Sequence, residues 1–82
     1  MKVFLSQRAR KFLDGASPDL KERLHSRISQ LLATPYPSGC KKLKGSANAY
    51  RLRVGDCRIL YVIVARDEIL VFKIGPRRSA YE

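Results

Sequence analysis

Eighty-two residues and a mass of 9.3 kDa leave room for one compact core and too little for two domains. A chain of this size buries only about 60–65% of its extended surface on folding. Apolar side chains make up 45% of the sequence, enough for a core and too many for disorder along the whole length. The longest strongly apolar run, Ile59 to Val64, is far short of the roughly 20 residues that cross a bilayer. The opening MKVFLSQRARKF carries charges where a signal peptide needs its apolar stretch. One cytoplasmic domain over residues 1–82, without a membrane partner, is the expectation.

Charge narrows the field further. Seventeen Lys and Arg stand against seven Asp and Glu, a formal net charge of +10. Such a chain repels itself and draws in polyanions by a steered, salt-dependent route, so RNA, DNA or an acidic protein are the natural partners. Cys40 and Cys57 form no CxxC motif, and with His25 as the single histidine a four-ligand Cys/His zinc site cannot be assembled within one chain. Reduced thiols and no metal or cofactor are expected.

In chain order, Lys2 to Leu5 alternates weakly and predicts a short strand. Ser6 then caps a helix on which Ala9, Phe12, Leu13 and Ala16 recur at three- and four-residue spacing, fraying at Gly15. Ser17-Pro18-Asp19 opens a second helix with a hydroxyl cap, a first-turn proline and an acid at the positive dipole end. Its apolar stripe is Leu20, Leu24, Ile28, Leu31 and Leu32; Lys21, Arg23 and Arg27 lie largely off it. Thr34-Pro35-Tyr36-Pro37-Ser38-Gly39 ends the helical half, and a loop with Lys41, Lys42 and Lys44 runs to Gly45. From Tyr50 the period becomes two. Gly55-Asp56 reads as a two-residue hairpin turn, followed by a strand from Cys57 to Val64, a turn at Arg66-Asp67, a strand from Glu68 to Ile74 and a stop at Gly75-Pro76. The fold class is α+β in the order β-α-α-β-β-β, an antiparallel meander with both helices on one face.

The hairpin predicts a register. With Gly55-Asp56 as the loop, Val54 faces Cys57, Arg53 faces Arg58, Leu52 faces Ile59 and Tyr50 faces Tyr61. Leu52, Val54, Ile59, Tyr61 and Ile63 then lie under the helices, with Arg51, Arg53 and Arg58 on the opposite side. Extending the same arithmetic through Arg66-Asp67 pairs Leu60 with Lys73 and brings Gly75 beside Arg58, so Arg77, Arg78 and Tyr81 leave the sheet next to the cations. It also places Leu60, Val62, Val64, Ile69 and Val71 on the Arg58 side. Arg53 opposite Arg58 is repulsive, and guanidinium forks suit phosphate oxygens. The alternative is a solvated sheet face. Cys57 points coreward, and His25 is expected half-exposed on its helix.

The segments KLKG (Lys42 to Gly45), YRLRVGDCRILYVI (Tyr50 to Ile63) and VFKIGPRRSAYE (Val71 to Glu82) resemble the RelE/ParE toxin superfamily, and its RelE branch most. The resemblance spans nearly the whole chain and implies a type II toxin–antitoxin toxin. It implies a ribosome-dependent, metal-independent endoribonuclease that cuts mRNA in the ribosomal A site with the ribose 2′-hydroxyl as nucleophile, and a RelB-like antitoxin as partner. It assigns catalysis to Arg58, Arg77 and Tyr81. Phosphate binding falls to Arg51, Arg53, Lys42, Lys44, Lys73 and Arg78. Two departures stand out: Pro76 where many relatives carry histidine, and Cys57 where an aromatic is common. A ParE-like gyrase inhibitor without nuclease activity, and a decayed RelE-like binding protein, are the alternatives.

Overall fold

The computed structural model describes residues 1–76. Its elements are β1 (Lys2–Leu5), α1 (Gln7–Asp14), α2 (Pro18–Ala33), β2 (Lys41–Lys42), β3 (Ala49–Val54), β4 (Cys57–Ala65) and β5 (Glu68–Pro76). They form one five-stranded sheet in the order β1-β5-β4-β3-β2. The meander β3 to β5 is antiparallel as expected; β2 adds to it antiparallel to β3, and β1 pairs parallel to β5, so the sheet is mixed.

The helix ends follow local chemistry. Ser6 accepts from the Ala9 amide at 3.1 Å and its hydroxyl donates to the Phe72 carbonyl at 3.0 Å, so one residue caps α1 and ties it to β5. Ser17 caps α2 through the Leu20 amide, with Pro18 in the first turn. Ala9 and Leu13 of α1 and Leu24, Ile28 and Leu31 of α2 are buried against the sheet residues Leu52, Val54, Ile59, Tyr61, Ile69, Val71 and Ile74. Ile63 packs against the same core half-buried.

The hairpin register is as the turn predicts: Val54 faces Cys57, Arg53 faces Arg58, Leu52 faces Ile59 and Tyr50 faces Tyr61. The β4–β5 ladder departs from the straight register in its middle. Leu60 does face Lys73 and Gly75 faces Arg58, but the ladder shifts between Leu60 and Tyr61 and again between Ile63 and Ala65. Phe72 is the extra residue at the first shift and Val64 at the second, so the two bulges cancel. Between them Tyr61 faces Val71 and Ile63 faces Ile69. Ile69 and Val71 therefore belong to the core, fully buried, and not to the Arg58 side. Burial is the reason: a straight register turns both aliphatics away from the helices, forfeiting about 1.5–3 kcal/mol for each.

Two smaller differences concern strand lengths. β5 continues through Pro76, which faces Cys57; a proline at a strand's last residue removes only a terminal donor. The loop after α2 contains the two-residue strand β2. No helix of the described residues is long and apolar enough to cross a membrane.

Tyr61 anchors the loop at 34–40. Its ring is fully buried and its hydroxyl donates to the Pro35 carbonyl at 2.7 Å. Tyr50 stacks on it with centroids 5.7 Å apart, and exposed Tyr36 meets Tyr50 edge-on at 5.3 Å. Burial, reinforced by the neighbouring Cys40, pushes the Tyr61 phenol well above the ordinary tyrosine value. Tyr61→Phe should lower folding stability by about 1–2 kcal/mol by stranding the carbonyl, read as a lower urea midpoint at unchanged slope. The unfolded phenol ionises near pH 10 and the folded one later. The stability this group confers is therefore complete below about pH 10 and is lost above it. The difference between Tyr61→Phe and the parent should accordingly shrink in urea titrations as pH rises from about 8 to about 11.

Candidate nucleic-acid interface

Period-two alternation in β3 places Arg51 and Arg53 on one side of the strand, while Leu52 and Val54 enter the core. The tight turn returns the chain so that Arg58 lies directly across from Arg53, and β2 sets Lys41 opposite Arg51. These four cations, with Arg27 of α2 and Gly39, line a cleft of about 250 Å³. Arg27 reaches it beside the loop before β2, donating to the Ser38 carbonyl at 2.8 Å and to the Gln30 side chain. None of the lining residues is acidic.

Exposure differs sharply among them. Arg53 is exposed and Arg51 half-buried, whereas Arg58 retains only 4% of its accessible surface. Among the described residues the buried Arg58 Nε has no hydrogen-bond acceptor, while the residue interacts through other atoms. A guanidinium held this deep is fixed in position and shielded from bulk water, which strengthens its field at an anion in the cleft.

The remaining expected residues divide into three sets. Lys73, opposite Leu60, is half-buried on the same side of the sheet. Lys42 faces Tyr50 in the ladder, so the alternation turns it to the other side, and Lys44 is exposed in the turn after β2. Arg77, Arg78 and Tyr81 lie outside the described residues, though β5 brings the chain to Gly75 and Pro76 beside Arg58 and Cys57. Sequence reasoning missed Arg27 and Lys41 as cleft residues. Lys41 joins Arg51 only through the antiparallel pairing of β2 with β3, which a two-residue strand beyond the 43–48 turn does not announce. Only the path of the 34–40 loop brings Arg27 near β3.

Two other reactive groups stand apart. Cys57 is a buried free thiol pushed above its ordinary pKa by burial, with Asp56 adding to the shift, which leaves it a poor nucleophile. His25 is exposed on α2.

Residues 3–81 match the family described as the ParE toxin of type II toxin-antitoxin systems, parDE. The chain belongs to this family. A protein designated toxin RelE1 in Methanocaldococcus jannaschii is 33% identical over 98% of this chain and 93% of its own length. The RelE chain of the archaeal RelE-RelB complex from Pyrococcus horikoshii superposes with a TM-score of 0.81 at 27% identity, covering 96% of this chain and 97% of that one. The RelB-RelE antitoxin-toxin complex from Methanococcus jannaschii gives 0.77 at 25% identity, covering 96% and 95%. The protein is thus a RelE-like toxin of a type II toxin–antitoxin system within the RelE/ParE superfamily.

The facing pair makes a measurable claim on the toxin's stability. Arg53→Gln relieves the charge opposite Arg58 and should raise the free protein's denaturation midpoint, by an amount equivalent to about 0.2–1 kcal/mol. The same variant should bind single-stranded RNA more weakly in a filter or fluorescence assay.

Proposed function

We propose that this toxin is a ribosome-dependent, metal-independent endoribonuclease that cleaves mRNA in the ribosomal A site and so halts translation in the cytoplasm. The observation that carries this reading is the all-cationic cleft of Arg27, Lys41, Arg51, Arg53 and Arg58, beside which the strand leading to Arg77–Tyr81 ends. Similarity to RelE chains supports the same reading.

The chemistry is an in-line transfer within the message. The ribose 2′-hydroxyl attacks the adjacent phosphorus while its proton is removed. A 2′,3′-cyclic phosphate forms, and the P–O5′ bond breaks with a proton delivered to the departing oxygen. Arg58 and Arg77 neutralise the equatorial oxygens as negative charge grows on them. Arg51 and Arg53, with Lys73, Arg78 and the outlying Lys42 and Lys44, hold flanking phosphates. Tyr81 takes the 2′ proton, its phenol made more acidic by the surrounding cations. The ribosome presents the message in attacking geometry, a contribution that can reach about 7–11 kcal/mol.

The partner in this reading is a RelB-like antitoxin. Relatives of the same fold are solved as RelE–RelB complexes, and acidic antitoxin side chains suit a surface with this cationic excess. The match to the ParE family favours, as a second reading, a gyrase-binding toxin that performs no cleavage.

Mapping transcript 5′ ends after induction separates the two. Codon-phased cuts should appear with the parent and disappear with Arg58→Ala and Arg77→Ala, each lowering single-turnover cleavage on programmed ribosomes about 10²–10³-fold. Tyr81→Phe should lower it as well; an unchanged rate excludes the phenol as base. Toxicity with intact messages and damaged DNA would establish the gyrase reading.

A further inference from the structure

A second cavity, of about 390 Å³, opens between α2 and the β3–β4 hairpin. Glu22, Arg23, Ser26, Arg27, Arg53 and Gly55 are among its lining. It shares Arg27 and Arg53 with the sheet-face cleft, so the two adjoin and their cations form one track from hairpin tip to sheet face.

The backbone orients one guanidinium of this cavity and makes room for another. Arg23 lies across the hairpin tip, its Nη2 only 2.7 Å from where a Cβ on residue 55 would project. The approach is open because residue 55 is glycine, which also supplies the φ of +57° that begins the turn. Arg27 is oriented by the Ser38 carbonyl, which takes one of its five donors, and by Gln30, which takes another. Arg23 and Arg53 have no hydrogen bond or ion pair among the described residues, and neither is paired by Glu22 at the cavity's edge. Three guanidinium groups around one concave space repel one another. The Ser38 carbonyl nonetheless holds Arg27 there, and the bare glycine leaves the space that Arg23 occupies.

We infer that this cavity is a second phosphodiester-binding site. Arg23, Arg27 and Arg53, with the Ser26 hydroxyl as a further donor, grip RNA backbone next to the segment held in the sheet-face cleft. The inference rests on the RNA-cleaving reading above and extends its binding surface onto α2. The phosphodiester comes either from the message flanking the cut or from ribosomal RNA lining the A site.

The test measures affinity across a salt series on vacant ribosomes and, separately, on a short single-stranded RNA. Arg23→Gln should weaken binding about five- to tenfold and flatten the slope of log K against log salt by about 0.7–1. Arg23→Lys should keep the slope while recovering only part of the affinity, and Glu22→Gln should tighten binding by removing a like charge. Arg66→Gln, in the β4–β5 turn and outside both cavities, is the control for general charge loss. An effect confined to the short RNA assigns the phosphodiester to the message, one confined to ribosomes assigns it to ribosomal RNA, and an effect on both supports the site for either source. Unchanged affinity and slope in Arg23→Gln on both ligands, or an equal loss in Arg66→Gln, overturns the proposal. Loss of cleavage in Arg58→Ala with normal binding in Arg23→Gln removes this site and leaves the cleavage reading standing. Binding through Arg23 by a wild-type chain that cuts nothing on ribosomes does the reverse.

Discussion

A two-residue turn leaves a hairpin no freedom of register, and that constraint organises the molecule. Once Gly55 and Asp56 are the loop, Leu52 must face Ile59, and both are fully buried under the helices. The alternate positions then have to put Arg53 across from Arg58. A slip of one residue separates the arginines and turns the apolar set out to solvent. Burial of Leu52, Ile59 and Tyr61, at about 1.5–3 kcal/mol each, outweighs the roughly 0.2–1 kcal/mol that facing like charges cost. The core thus holds the cations together against their own repulsion, which is the arrangement an anion-binding site needs before its anion arrives.

The bulges in the β4–β5 ladder let one strand serve two purposes. Between them, Ile69 and Val71 fill the core and hold α1 and α2 on the sheet. Beyond them, the pairing of Lys73 with Leu60 and of Gly75 with Arg58 carries the chain's end to the cationic side. An unbulged strand reaches the same end point at the cost of two core residues. The carbonyls of Val71 and Phe72 also receive the amide and hydroxyl of Ser6, so α1 is fastened where the register changes. Apolar burial and the geometry of the site are in this way solved by neighbouring residues of the same strand.

Much of this was legible from local chemistry. Caps at Ser6 and Ser17, the breaks at Gly15 and Thr34, and the grouping of Arg51, Arg53 and Arg58 all follow from side chains within a few residues of the feature they determine. What escaped was non-local. A bulge is chosen by what the far side of the sheet needs to bury, so Phe72 and Val64 carry no mark of it in their own neighbourhood. The parallel pairing of β1 with β5 joins residues more than sixty positions apart. Arg27 is the instructive omission. Its place off the apolar stripe is what the spacing predicts, yet Arg27 is half-buried beside the 34–40 loop, and a helical position alone does not say which surface a side chain meets.

The distribution of titratable groups bears on how such a site works. Tyr61 and Cys57 lie in the core with their pKa values pushed upward, which removes both as proton acceptors near neutrality. Pro76, at the end of β5, has no titratable side chain, and His25 is on α2 outside the cleft lining. Among the described residues the cleft therefore offers positive charge and geometry rather than a base. A site so composed stabilises a charge-accumulating transition state better than it moves protons. It gains most from a substrate already bent into attacking geometry by something else. The ribosome dependence proposed above fits a cleft of this kind: the toxin would bring the field, and the larger partner the alignment that a shallow cationic cleft cannot impose on a flexible strand of RNA.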